Sequence, residues 1–280
     1  MIKLLSGAWR EDLAEVVASA EHSMLVASPY IKEREAVWLC ERMRPSLGVT
    51  TLTNVNVDAI SSAALDVAAL RHLSKASPQA RVIALPTLHA KVFVADDKAA
   101  IVTSGNLTSS GLDHNIEYGV MLYDDDLVPT IRNDILSFAT LGSEVPPSVL
   151  CEIGRLEVEL REIRAKAVKE GLPTARRKLT KAMQQAHPVF VGAQVGNRTK
   201  YAVFGDAIQF ILAKGPMPTT AIHEQVQTLL PDLCDDSMPL IVNGQPYGTA
   251  WKRDVRHAQL SLKRKGILAL DKESGLWSLT

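Results

Sequence analysis

Cysteine is scarce in this chain and patternless: Cys40, Cys151 and Cys234 are an odd number, with no CxxC and no Cys/His spacing. Neither a disulfide framework nor a zinc site is indicated, and reduced, mostly buried thiols are expected. No apolar run approaches the roughly 20 residues that a bilayer crossing needs. The opening "MIKLLSGAWR" has too short an apolar core for a signal peptide. Both absences argue against membrane insertion and export, and point to the cytoplasm. Nor is there an excess of either charge, since 31 Lys and Arg balance 31 Asp and Glu.

What is present is an ordinary globular composition, 46% hydrophobic and 22% charged over 280 residues, and that length fits one large domain or, better, two of moderate size. The zero net charge conceals an asymmetry. Residues 1–150 carry 12 Lys and Arg against 18 Asp and Glu, a net of −6; residues 151–280 carry 19 against 13, a net of +6. A basic half joined to an acidic half fits a nucleic-acid-binding module attached to something else, although clustering on solvated faces gives the same sum.

The first 140 residues alternate between helical and strand patterns. "REDLAEVVASA", "EREAVWLCERMR" and "DAISSAALDVAALRHL" each read as a helix, and "SMLVASPY", "GVTTLT" and "ARVIAL" as strands. That alternation implies an α/β fold, a largely parallel or mixed sheet flanked by helices. "VPTIRNDILSFATLG" reads as a closing helix and "SEVPPS" as the exit. From Cys151 to about Gly171, Ile153, Leu156, Leu160 and Ile163 form one apolar stripe of a long linking helix, with Glu157/Arg161 and Glu162/Lys166 as i,i+4 pairs. "ARRKLTKAMQQAHPVFVGAQVGNRTKY" reads as a basic, less regular connector. The expected organisation is a domain over 1–148, a linking helix and connector over 149–200, and a second domain over 201–280.

The chemistry concentrates in "LHAKVFVADDKAAIVTSGNLTSSGLDHNIEYGV", Leu88 to Val120. In "LHAKVFVA" the side chains of His89, Lys91 and Phe93 share one strand face. Asp96-Asp97-Lys98 turns the chain, and "AAIVTSGN" returns with Val102, Ser104 and Asn106 on one face. Paired, the two strands bring an imidazole, an ammonium, a hydroxyl and an amide to one end of the sheet, within reach of Glu117 on the pattern "IEYGVML". Such a set suits attack on a phosphodiester. A neutral imidazole nitrogen is the nucleophile, with a carboxylate, Glu117, holding its other N–H. Lys91, Asn106 and Ser104 donate to the non-bridging oxygens through a five-coordinate transition state. This inventory requires no metal and no cofactor.

The full string His89, Lys91, Asp96, Thr103, Ser104, Asn106 is H-x-K-x4-D-x6-T-S-x-N. It resembles the signature of the phospholipase D superfamily, H-x-K-x4-D-x6-G-S-x-N, often followed by a strand bearing a glutamate, and departs from it at Thr103. The resemblance covers about residues 5–145. It implies His89 as nucleophile, Lys91, Ser104 and Asn106 as phosphate binders, and Glu117 as the residue orienting His89; Asp96, at the turn, is expected to be structural. The family's mechanism needs two histidines, and the six others here, including His114, lack the H-x-K context. Members with one motif build the site at a two-fold interface, so a homodimer is implied.

From Tyr201 the pattern is three helices and a terminal hairpin, the outline of a winged helix-turn-helix. In the third helix Trp251, Val255, Ala258 and Leu262 form a buried stripe. Lys252, Arg256, Gln259 and Lys263 repeat the same steps one position on, next to Arg253, and are expected to contact DNA. The segment from Asn243 to Thr280 also resembles winged-helix domains appended to restriction endonucleases of the Mrr kind. "HEQVQ" at His223 lacks the second His of a zinc protease helix, no D/E-x-K follows Pro231-Asp232, and Asp124–Asp126 reads as a helix cap. The reading that follows is a dimeric, metal-independent DNA endonuclease of a restriction or defence system, with room for a helicase or methyltransferase partner. A DNA-binding regulator with an inactive catalytic domain and a phospholipase or phosphatidyltransferase are the alternatives.

Overall fold

The computed structural model describes residues 1–242 and 245–280, and the chain divides into two compact units, Met1–Gln194 and Val195–Thr280. In the first, β1 (Ile2–Ser6), β2 (Ser23–Ala27), β3 (Gly48–Thr53), β4 (Arg81–Ala84), β5 (Val92–Ala95), β6 (Ala99–Thr103), β7 (Tyr118–Leu122) and β8 (Ser143–Glu144) form one sheet in the order β1-β7-β6-β5-β2-β3-β4-β8. The pairs β2–β3 and β3–β4 are parallel and the rest antiparallel, so the expected mixed sheet flanked by helices is present. The helices are α1 (Arg10–Ser19), α2 (Glu33–Cys40), α3 (Val57–Ser61), α4 (Val67–Leu73), α5 (Leu127–Ala139), α6 (Pro147–Glu170) and α7 (Pro173–Val195). One continuous core joins Leu13, Val16 and Val17 of α1 to Phe93, Ile101 and Met121 of the sheet and to Leu150, Ile153 and Leu160 of α6.

Several local expectations change. The helix expected over 58–73 is two helices, because Ala63 turns left-handed (φ 58°). The carbonyl oxygens that a continuous helix would consume are taken by cations: Lys32 Nζ donates to Ala63 O at 2.9 Å, and Arg161 donates to Ile60 O at 3.1 Å and Leu65 O at 2.9 Å. The "irregular" connector is the long helix α7, whose Ala186, Phe190 and Ala193 join the core despite Pro188. The linking helix begins at Pro147 rather than Cys151 and ends where Gly171 (φ 66°) supplies a left-handed cap. β1, unassigned from sequence, pairs along β7, and the 143–148 exit includes the edge strand β8. Of the cysteines, Cys234 is buried, Cys40 half-buried and Cys151 exposed.

The second unit runs α8 (Lys200–Leu212), β9 (Met217–Pro218), α9 (Thr219–Leu229), β10 (Pro239–Val242), β11 (Gln245–Thr249), α10 (Ala250–Arg264), β12 (Leu268–Leu270), β13 (Leu276–Leu279). The last two strands pair as an antiparallel hairpin, and β9 pairs with β13. Trp251, Val255, Ala258 and Leu262 of α10 are buried as the stripe requires. Asn243 and Gly244, at the head of the segment compared with restriction-enzyme domains, lie outside the described residues. Among the described residues, no helix is long and apolar enough to cross a membrane.

Candidate active site and nucleic-acid interface

The order and direction of the strands explain why the motif residues meet. β5 and β6 are antiparallel with Val92 opposite Val102, and β6 and β7 are antiparallel with Thr103 opposite Gly119. The start of β5, the end of β6 and the start of β7 therefore lie at one rim of the sheet. Thr103 N donates to Lys91 O at 3.1 Å, and Ser104 N to Tyr118 O at 3.0 Å, extending the ladder into the rim. His89 and Ser104 are exposed there, whereas Lys91 is buried. The Lys91 ammonium donates to the carbonyl of its own neighbour His89 at 2.8 Å and lies 3.2 Å from His89 Nδ1. Burial holds the Lys91 pKa below the usual lysine value, and the negative charge of Glu117 opposes that shift.

Glu117 bonds differently from the expectation. Its carboxylate accepts from Ser104 Oγ and, at 3.0 Å, from Asn115 Nδ2, so the structure engages it with these two rather than with His89. Ser104 Oγ in turn accepts from Tyr118 N at 3.0 Å. Asn106 Oδ1 is enclosed and has no hydrogen-bond partner among the described residues. Four groups expected together, His89, Lys91, Ser104 and Glu117, are thus linked at the rim, with Asn106 two residues beyond Ser104.

Asp96 is not among them. It sits at the far end of β5, about 17 Å along the strand from Lys91 by the rise per residue, in a left-handed conformation (φ 51°). Its carboxylate accepts from the backbone N–H groups of Glu21 (2.8 Å), His22 (3.0 Å) and Ser23 (2.7 Å). Burial alone would raise its pKa; the three N–H donors outweigh it and hold the carboxyl below the ordinary range.

The loop that carries Asn106 is clamped by residues the sequence reading did not single out. A Cβ at Gly105 would stand 2.6 Å from Trp9 Nε1, and one at Gly111 would stand 2.4 Å from Asn106 O. Trp9 Nε1 donates to Gly111 O at 2.6 Å. Two residues on, Asp113 takes both prongs of Arg10, at 2.7 and 2.6 Å, and the same guanidinium lies over Trp38 and 3.4 Å from the buried Glu35. Leu107 N is held by Ser28 Oγ at 3.0 Å and Leu107 O by Lys32 N at 3.0 Å. The visible signal was glycine at 105 and 111 in a segment that otherwise follows the motif. Thr103, where the resembled signature has glycine, fits because its cross-strand partner is Gly119, whose added Cβ would lie 2.8 Å from Thr103 Cα. Thr103 Oγ1 also accepts from Gly105 N at 3.2 Å. His114 is exposed beside Ser109, and Asp124 caps α5 by accepting from Leu127 N at 2.9 Å. Among the described residues, no group of three or more His, Cys, Asp or Glu is placed to hold a metal ion.

On α10, Arg256 and Lys263 are exposed, while Lys252 and Arg253 are half-buried, the latter beside Asp254 at 3.1 Å. Gln259 is a correction: only 1% of it is accessible, so it faces the interior and not a groove. The helical step that carries Lys252 to Arg256 to Gln259 drifts toward the buried stripe, because 3.6 residues per turn places Gln259 next to Val255 and Leu262.

Residues 13–138, within the first unit, match the family model described as cardiolipin synthase, PLD-like domain. Among solved structures the chain is similar to NucT from Helicobacter pylori, at 17% identity and a TM-score of 0.40 over 49% of this chain and 94% of that one. It is also similar to Nuc from Salmonella typhimurium, a phospholipase D family member, at 14% and 0.38 over 51% and 98%. A third likeness is to phosphatidylserine synthase from Haemophilus influenzae, at 13% and 0.37 over 94% and 68%. No curated protein gave a match.

Proposed function

We propose that the protein is a phosphodiesterase that cuts DNA through a phosphohistidine intermediate at a site completed by a second copy of the chain. The observation that carries this reading is the convergence of His89, Lys91, Ser104 and Glu117 at one rim of the sheet. An imidazole nitrogen of His89 bonds to phosphorus as the P–O bond to the leaving sugar oxygen breaks. The protonated His89 of the second copy gives its proton to that oxygen. The now neutral imidazole then takes a proton from water, whose oxygen bonds to phosphorus as the N–P bond breaks. Lys91 neutralises the five-coordinate phosphorane, with Ser104 and Asn106 supplying further donors. Substrate that takes the Ser104 hydroxyl frees a Glu117 oxygen for the His89 N–H. The imidazoles serve as nucleophile and acid, which is why the reaction is proposed to be metal-independent.

The second copy is supported by an apolar sheet face beside the rim. Register puts Ile2, Leu4 and Tyr118 on one face of β1 and β7, all exposed, next to the fully exposed Ile116. DNA as substrate is supported by the second unit, whose three helices and small sheet of β9, β13 and β12 fit the proposed winged helix-turn-helix, with the β10–β11 hairpin inserted before the third helix. Lys252, Arg253, Arg256 and Lys263 would hold phosphates and base edges. The same architecture suits a cytoplasmic restriction or defence nuclease working with a helicase or methyltransferase.

The test is cleavage of plasmid and single-stranded DNA by wild type and His89→Ala with excess EDTA throughout, beside sedimentation of both. EDTA-resistant cutting by a dimer, reduced on the order of 10⁴-fold or more in the variant, is expected. EDTA-sensitive cutting, or equal cutting by both proteins, overturns the reading. Tight DNA binding without cutting by either would favour a regulator.

A further inference from the structure

α7 has a charge pattern found in no other helix of eight or more residues among the described residues. Its 23 residues include Arg176, Arg177, Lys178 and Lys181 and no Asp or Glu. The acid-free stretch is longer than the helix: from Gly171 to Gly205 the chain holds six Lys and Arg and no carboxylate side chain. By contrast, the neighbouring α6 interleaves Glu152, Glu157, Glu159, Glu162 and Glu170 with its own cations. Balanced helices can satisfy their charges locally, as Arg161 does with Glu157 at 2.7 Å. Arg176, Arg177, Lys178 and Lys181 form no ion pair among the described residues.

The arrangement on the helix sharpens the point. Ala186, Phe190 and Ala193 face the core, and at 100° per residue the opposite face carries Thr174, Arg177, Lys181, Gln184 and Gln185, with Lys178 on its flank. All of these are exposed. Every polar side chain on that face can donate a hydrogen bond, and none is an anion. From Thr174 to Gln185 the face is about 16 Å long at 1.5 Å per residue, a length of duplex that presents roughly ten phosphate charges.

We infer that the outer face of α7 is a third DNA contact, a sequence-independent rail for the phosphate backbone, distinct from the rim and from α10. The inference rests on the proposed DNA substrate and adds to it a contact that neither the motif nor the recognition helix supplies. Such a rail raises affinity equally for all sequences and makes it depend on salt, because each neutralised phosphate releases counterions.

The experiment compares the slope of log affinity against log salt for the full-length protein on two unrelated duplexes. The proteins are wild type, Arg177→Gln/Lys178→Gln/Lys181→Gln, and a control with equal charge loss elsewhere, Lys75→Gln/Lys98→Gln/Arg132→Gln. Glutamine keeps helical propensity, and circular dichroism checks the fold. Up to about 0.9 of slope is expected per lost phosphate contact, so the α7 variant should lose about two units on both duplexes while the control keeps the wild-type slope. An unchanged slope in the α7 variant, or an equal loss in the control, overturns the rail and leaves the nuclease reading intact. A wild type without salt-dependent DNA binding overturns both.

Discussion

The two ends of the β5–β6 hairpin carry residues of one short motif and treat them in opposite ways. At the rim, His89 and Ser104 stand exposed, and Lys91 is buried with its charge supported from across the strand by Glu117. At the turn, Asp96 is buried and spends its carboxylate on three backbone N–H groups that set the start of β2. The difference separates chemistry from scaffolding inside a single string of residues. Groups kept available can act on a ligand, whereas a group saturated by backbone donors can only hold the chain.

That contrast can be broken most sharply by exchanging the loss. His89→Ala should abolish turnover as above and leave the melting temperature unchanged, since the side chain is exposed. Asp96→Ala should do the reverse, costing about 2–4 kcal/mol by leaving backbone donors unpaired in a buried turn, with activity per folded molecule retained. Denaturant unfolding and cleavage on the same samples decide it, and a stable but inactive Asp96→Ala would merge the two ends into one site. The pH dependence follows in sign. Because its folded pKa is depressed, Asp96 adds stability that is present above its unfolded value near 4 and is lost as pH falls through the lower folded value. Asp96→Asn should therefore flatten the acid limb of the stability curve.

A middle-sized effect is expected at the rim. Glu117 raises the pKa of Lys91 against the pull of burial. Glu117→Gln should therefore let Lys91 lose its proton at lower pH, moving the alkaline limb of kcat/KM downward. An unmoved limb would show that Lys91 does not sense Glu117. The smallest effect is Thr103→Gly, which restores the usual glycine of the resembled signature but gives up the Thr103 Oγ1 to Gly105 N bond. It should cost about 1 kcal/mol or less, read by thermal melting, with cleavage unchanged.

The sequence was most legible where a residue type has one use. The spacing of His89, Lys91 and Ser104 predicted a common rim, and the strand register brings the ends of those strands together there, with Asn106 in the loop beyond. The alternation of apolar runs likewise implied a mixed sheet with helices. What stayed hidden depended on partners remote in sequence. No local pattern shows that Lys32 and Arg161 will claim the carbonyl oxygens around Ala63 and split a helix, or that Arg10 will reach Asp113 across 103 positions. α7 was masked by Pro188, which lowers helical propensity without defeating the burial of Phe190. Gln259 was misplaced because a stripe one position from the core is half core itself.

The register of the sheet also bears on how the molecule comes to exist. β5, β6 and β7 follow one another along the chain and pair as neighbours, so the rim forms from short-range contacts between residues 89 and 120. β1 must instead find β7 across more than a hundred residues, as Ile2 meets Leu122. Low contact order favours early pairing and loop-closure entropy delays distant pairing. By that argument the hairpins that bear the reactive groups are expected to pair before the edge strand β1, with the apolar face beside it, docks onto β7.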